Sequence, residues 1–186
     1  MGRVNPPKLV DSGQIVINLK RNVIQIDHDL PGPTVSGRWG TREEAVAHWR
    51  DMLRLCPNDN MGIRHVLAPK LLHLNLFEAV RELLDEYEEP DPAKTGAEWG
   101  DTDALLKYKQ GGAKSGAGKA LAAAIKNNPH VPAYLLGEKR LPKQPPPHYA
   151  LGSKDEAVLY VLSSGETWTS TKGALAWLSE TAKNTL

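Results

Sequence analysis

The chain has 186 residues, 40% of them hydrophobic, enough to bury one core and too few for two large ones. A net charge of +1 removes any strong global pull toward nucleic acid or an anionic membrane, although the halves differ: residues 1–92 carry 11 Lys/Arg against 14 Asp/Glu, and residues 93–186 carry 12 against 8. The single Cys56 excludes an internal disulfide, no apolar run nears the roughly 18 residues of a membrane span, and the first residues lack a secretory-type apolar core, so a cytoplasmic, non-membrane protein is expected.

The first forty residues read as an extended or hairpin arm. Ile15, Ile17 and Leu19 alternate with shorter or polar neighbours, Lys20-Arg21-Asn22 breaks the run, and Val23-Ile24-Gln25-Ile26 resumes it. Leu30-Pro31-Gly32-Pro33 and Ser36-Gly37 exclude a regular helix beyond that. A lone hairpin is marginal in water, so the arm is expected to pack on the rest of the chain or to self-associate.

From Thr41 onward the chain becomes helical and repetitive. Thr41-x2-Glu44 is a capping-box signature, followed by an apolar stripe of Ala45, Trp49, Met52 and Leu53 that stops at Pro57. The phrase Ala45-x3-Trp49 with Pro57 returns as Ala79-x3-Leu83 with Pro90 and as Ala117-x3-Leu121 with Pro129. Ala45 and Ala79 are spaced at the tetratricopeptide period of about 34 residues, and Ala117 comes one helical turn later than that period would place it. A small residue lets two helices approach, the bulky residue one turn later fills the groove, and proline closes the unit. Ile63, Val66, Leu67, Leu71 and Leu74 form the stripe of the next helix, in which Pro69 predicts a kink or a late start. Phe77, Val80, Leu83, Leu84 and Tyr87 follow, with Glu78, Glu82, Asp85, Glu86, Glu88 and Glu89 as a solvated face. Residues 101–109 and 117–127 make the next pair, joined at Gly111-Gly112.

That joint carries a near phosphate-binding loop, Ala113-Lys114-Ser115-Gly116-Ala117-Gly118-Lys119-Ala120. Two requirements fail: Ala120 has no hydroxyl for a metal, and the segment follows a helix where the motif needs a strand. The six histidines have no His-x3-His spacing, and Cys56 has no partner cysteine. Asp101 and Asp103 suit a helix start better than an acid/base couple. No catalytic residue, metal site or cofactor is therefore expected.

Toward the C-terminus, Asn128-Pro129-His130-Val131-Pro132-Ala133-Tyr134-Leu135-Leu136 leads through Pro145-Pro146-Pro147 to Gly152-Ser153-Lys154-Asp155-Glu156-Ala157, then Tyr160, Trp168 and Gly173-Ala174-Leu175. Over residues 117–178 this resembles the suppressor-of-tumorigenicity-7 family, whose members carry a similar Asn-Pro-His-Val-Pro-x-Tyr-Leu-Leu string followed by a Gly-x-x-Glu-Ala helix, a Trp and a Gly-Ala-Leu. The resemblance implies helical repeats and no known catalytic residue; that family's membrane-spanning segments have no counterpart in this sequence. Physically the string is a terminator: Pro129 ends one helix, Pro132 starts a short one closed by Gly137, and Ser153-x2-Glu156 caps the next. Lys139, Arg140 and Lys143 before the three prolines mark an exposed connection that could also serve as a basic or polyproline docking peptide. A last helix spans about residues 171–182.

The expected architecture is all-α: a short tetratricopeptide-like array of antiparallel helix pairs over residues 41–186, with divergent capping helices from about residue 128 and a non-helical arm over residues 1–40. The expected role is a non-enzymatic adaptor that binds a protein or peptide partner on the concave face of the first helices, through Arg64, Ala68, Thr102 and Lys109, with Trp99 as an anchor. A nucleic-acid-associated or nucleotide-dependent regulator using residues 107–119 is the rival reading. The sparse aromatic interleaving among Lys107, Lys109, Lys114 and Lys119, limited to Tyr108, argues against nucleic acid.

Overall fold

The structure is a computed structural model that describes residues 16–18, 23–25, 42–60 and 62–186. The expected arm and its self-association lie outside the described residues, except for two short strands, β1 (Val16–Asn18) and β2 (Val23–Gln25), which pair antiparallel with Ile17 opposite Ile24. The capping box at Thr41 likewise lies outside them. Contacts divide the chain into two compact units, one ending at Asn58 and one running from Asp59 to Leu186. In the first, α1 (Arg42–Leu55) buries Val46, Trp49 and Leu53, one turn apart along a single stripe.

The second unit is all-α. Its helices are α2 (Ile63–His73), α3 (Phe77–Glu86), α4 (Ala97–Gly111), α5 (Gly118–Asn127), the single turn α6 (Val131–Leu135), α7 (Lys154–Ser170) and α8 (Ala174–Thr185). Helix α2 starts where Asp59 accepts from the backbone N–H of Ile63 at 2.7 Å and of Arg64 at 3.0 Å, which satisfies two donors no helix can satisfy for itself. Pro69 delays nothing: the helix begins at Ile63 and runs through it, with Pro69 buried among Val66, Leu67, Ala68, Leu71 and Leu72. Burial of that face outweighs the rung the proline removes.

Helix α3 packs on α2 through Val80, Leu83 and Leu84, and its acidic residues from Glu78 to Glu89 lie on the outer face, as its stripe predicts. Helix α4 is longer than the segment 101–109 read from the sequence. It packs along α2 with the two C-terminal ends together, since Lys109 Nζ donates to Leu72 O at 3.2 Å. It also packs against α5, approached at Gly100, where a Cβ would lie 3.2 Å from that of Ala124. The kinked link through Ser115 and Gly116 (φ +83°) lets the chain reverse into α5.

Helix α7 lies across α2 and α4, and α8 closes the far side against α5. Tyr160 and Trp168 of α7 are fully buried, and Trp168 Nε1 donates to Tyr160 Oη at 2.7 Å. Trp177 of α8 stacks on Tyr108 at 4.4 Å. Among the described residues no helix is long and apolar enough to cross a membrane.

Gly152, just before α7, has φ +73° and a Cβ there would meet Asn127 O at 2.9 Å, whereas Gly137 at φ +72° faces open space. Gly152→Ala is therefore expected to cost roughly 2–3 kcal/mol and Gly137→Ala about 1 kcal/mol. Urea unfolding of the two variants reads the difference.

Candidate functional site

The polar centre of the second unit is one carboxylate. Glu156 Oε1 accepts from Ala97 N at 3.0 Å, and Oε2 accepts from Asn128 Nδ2 at 2.8 Å and Gly152 N at 2.6 Å. Asn128 also donates to Ser153 O at 3.0 Å and accepts from His130 N at 3.1 Å. The start of α4, the end of α5 and the start of α7 are thus tied at one point. Ser153 Oγ accepts from Glu156 N at 3.2 Å, the first half of the expected capping box. The second half differs: the glutamate side chain leaves its own cap residue and serves Gly152 and two distant segments.

Beside this centre opens a cleft of about 160 Å³, lined by Arg64 and His65 of α2, Tyr87 and Glu89 after α3, Lys94, Thr95, Gly96, Glu98 and Trp99 leading into α4, and Leu151 and Glu156. The Arg64 guanidinium lies 5.0 Å from the Tyr87 ring centre and 5.8 Å from that of Trp99, and its Nε is 3.8 Å from Asp59. Such a cation held over two rings is partly desolvated and pre-oriented. His65 meets Trp99 edge-on at 5.2 Å, and burial, then the Arg64 charge, lower its pKa to about 4 against a smaller opposing pull from Asp59. It is neutral at physiological pH.

Acid groups at the floor behave in the opposite way. Burial pushes Glu98 up to about 8, a hydrogen bond from Ser163 Oγ at 3.3 Å opposes this, and the nearby Asp101 and Glu156 charges add to it. Glu98 Oε1, Trp99 Nε1 and both Asp101 oxygens are buried without a hydrogen-bond partner. Burial, then the Glu156 charge, hold Asp101 well above the usual carboxylate range. At neutral pH Glu98 is uncharged, and the cleft presents Arg64 and aromatic surface beside Glu89, Lys94 and Glu156.

Of the five residues expected to bind a partner, the fold brings Arg64 and Trp99 together in this cleft. Trp99 also borders a wider groove of about 480 Å³ between α3, α4 and α5. Ala68 and Thr102 are only 0% and 1% exposed, so neither lines an open surface. The physical reason is α7, whose Tyr160, next to Thr102, fills the face of α2 and α4 expected to be free. Lys109 is engaged on the last turn of α2, where burial lowers its pKa. Sequence reading misses Tyr87, Glu98 and the long-range role of Glu156; the capping box is the one visible signal for the last.

The near phosphate loop does not form a cradle. Ser115 Oγ lies 2.7 Å from Gly112 O and 2.8 Å from Lys107 O, and its one hydroxyl proton, shared between these carbonyls, closes the end of α4. Among the described residues no cluster of His, Cys, Asp or Glu is placed to hold a metal.

The family model of the ST7 protein matches residues 34–186. The chain belongs to the ST7 family. The match extends well beyond the segment 117–178 that carries the visible string, and takes in all the helices described above. Similar relatives include suppressor of tumorigenicity 7 protein-like from Gallus gallus, 32% identical over 162 residues, which are 78% of this chain and 29% of that protein. Suppressor of tumorigenicity 7 protein from Macaca fascicularis is 31% identical over 164 residues, 80% of this chain and 30% of that protein. The chain thus spans less than a third of the length of the curated relatives it matches. No solved structure matches it.

Removing the central carboxylate leaves buried donors on three segments unpaired, so Glu156→Ala is expected to lose about 3–5 kcal/mol in urea unfolding. Glu98 gives a prediction of opposite sign. Its folded pKa of about 8 lies above the ordinary 4.5, so its contribution to stability is full below pH 4.5 and is lost as pH rises through 8. Glu98→Gln, which cannot ionise, should match the parent near pH 4.5 and exceed it by roughly 4 kcal/mol at pH 7.5. Denaturation at both pH values checks the sign.

Proposed function

We propose that this ST7-family chain is a non-enzymatic, tetratricopeptide-like interaction module that holds a partner segment at the Arg64–Trp99 cleft. The observation that carries the reading is the Arg64 guanidinium laid over Tyr87 and Trp99 at the mouth of a cleft in which the buried Glu98 is neutral. A fixed fork of N–H donors flanked by ring surface suits an extended peptide with an acidic or carboxylate group. Repeat character is supported by helix starts at Ile63, Ala97 and Val131, which recur evenly at the tetratricopeptide period of about 34 residues. Equivalent positions of neighbouring units then lie side by side, and His65 and Trp99 are such a pair. The free Cys56 suits a reducing, cytosol-like compartment.

The rival reading loses cations it would need. Lys107 pairs with Asp103, which also holds Arg81 at 2.8 Å, and Lys109 is bound to Leu72 O. Affinity capture with the parent chain, Arg64→Glu and an exposed control, Lys126→Glu, tests the proposal once all three show the same unfolding midpoint. Arg64→Glu should lose a set of bound chains, at least tenfold in yield, that the parent and control retain. Identical bound sets for the three proteins would place the site elsewhere.

A further inference from the structure

Between α6 and α7 the chain runs without helix or strand from residue 136 to residue 153. Residues 137–145 and 147–151 are all exposed, and Pro146 is half-buried. This loop contains Pro145-Pro146-Pro147-His148-Tyr149, so that Pro146, Pro147 and Tyr149 have the spacing Pro-Pro-x-Tyr. Tyr149 keeps 49% of its surface exposed although it is a large aromatic residue. No hydrogen bond or ring contact among the described residues ties the loop's proline segment to the core, whereas both ends are fixed: Lys139 N donates to Ala133 O at 2.9 Å and Gly152 N to Glu156 at 2.6 Å.

Consecutive prolines hold φ at about −65° and push each preceding residue into the extended region, so residues 144–147 are biased toward a polyproline II helix before anything binds. In that helix, with three residues per turn, Pro146 and Tyr149 fall on one edge and Pro147 lies between them on the adjoining one. Two proline rings and a tyrosine on one side of a pre-extended strand are what an aromatic-lined groove with a second apolar pocket recognises, and the phenol adds a polar tip. Little ordering entropy remains to be lost on binding, because the ends are anchored and the prolines are rigid.

We propose that residues 145–149 are a docking strip for a WW domain of a partner protein, with Pro146 and Pro147 in its aromatic groove and Tyr149 in the neighbouring pocket. A second polyproline pattern, Lys139-x2-Pro142-x2-Pro145, overlaps it and would suit an SH3 domain. It is the poorer fit: Lys139 already lies over the Tyr134 ring at 5.9 Å, and the backbone bends twice in succession inside it, at Lys143 and Gln144, against a single bend at Pro147 in the strip. The prolines of the strip lie outside the Arg64–Trp99 cleft, and the Tyr149 phenol is near enough to feel the Glu156, Glu98 and Arg64 charges at its edge.

The test titrates the full chain into a 15N-labelled WW domain of the class that reads Pro-Pro-x-Tyr, followed by NMR, with an SH3 domain in parallel. A dissociation constant on the order of 10–100 µM is expected. Tyr149→Ala and the pair Pro146→Ala plus Pro147→Ala should weaken it at least tenfold, while Pro142→Ala leaves it within about threefold. These substitutions should not move the unfolding midpoint, so lost binding reports the strip and not the fold. Absence of WW-domain shifts at about 1 mM chain, equal binding by Tyr149→Ala, or binding of the SH3 domain alone would each overturn the proposal. Arg64→Glu, which disables the cleft, should leave WW-domain binding intact.

Discussion

Glu156 is the point on which the second unit turns. Its two oxygens take hydrogen bonds from the start of α4, the end of α5 and the turn before α7, segments far apart in sequence. A carboxylate at the first turn of α4 is favoured twice, by the unpaired amides and by the positive end of the helix dipole. Bonds to an ionised acceptor are also roughly twice as strong as neutral ones. Having fixed one negative charge inside the protein, the fold cannot place two more beside it. Glu98 and Asp101, in the opening turns of the same helix, are accordingly both pushed above the usual carboxylate range by burial and by that charge, Glu98 to about 8. Gly96 follows from the same constraint, because a Cβ there would lie 2.7 Å from Glu156 Oε1.

The position of α7 is a consequence of this anchor. Starting from Glu156, α7 has to run over α2 and α4, and its buried Tyr160 and Trp168 cover the faces that adjoining first helices would otherwise present. The faces of α2 and α4 that would otherwise be open are thereby closed. At the rim of this unit Arg64 emerges between the Tyr87 and Trp99 rings. Burial of Ala68 and Thr102 and partial exposure of Arg64 are two results of one helix placement.

Local signals in the sequence carry the helices and their order. The stripes through Leu71, Leu83, Leu121 and Leu178 have the helical period, and the prolines at 57, 90 and 129 mark the ends. The local pattern places the start of α4 near residue 101, whereas the helix begins at Ala97, because its cap comes from Glu156 and nothing in the neighbouring sequence supplies one. Arg64 and Trp99 are legible as candidates from their types, a cation on the stripe-bearing helix α2 and a large aromatic at the start of the next long helix. Tyr87 and Glu98 are not, for their role depends on how α3 and α7 close the cleft. Asn128 reads as part of a terminating string, which it is, but its amide also bonds Ser153 and Glu156. A side-chain network spanning three segments has no periodic signature, only the residues themselves.

The loop before α7 follows another logic. A connection running from residue 136 to residue 153 with no secondary structure is long for a compact helical unit, where about two to eight is usual, and such loops are commonly functional or unstructured. This one begins at a left-handed Gly137 and ends at a left-handed Gly152 locked against Asn127 O, so its two ends are defined while its middle is proline-restricted. Restricting the middle lowers the entropy lost when it is held straight, and fixing the ends keeps it from folding back onto the core. Pro145 to Tyr149 sit in that middle, and Leu151 at its end borders the Arg64–Trp99 cleft. A partner held on the strip would therefore bring its neighbouring residues within reach of the cleft, and the two sites would share one effective concentration.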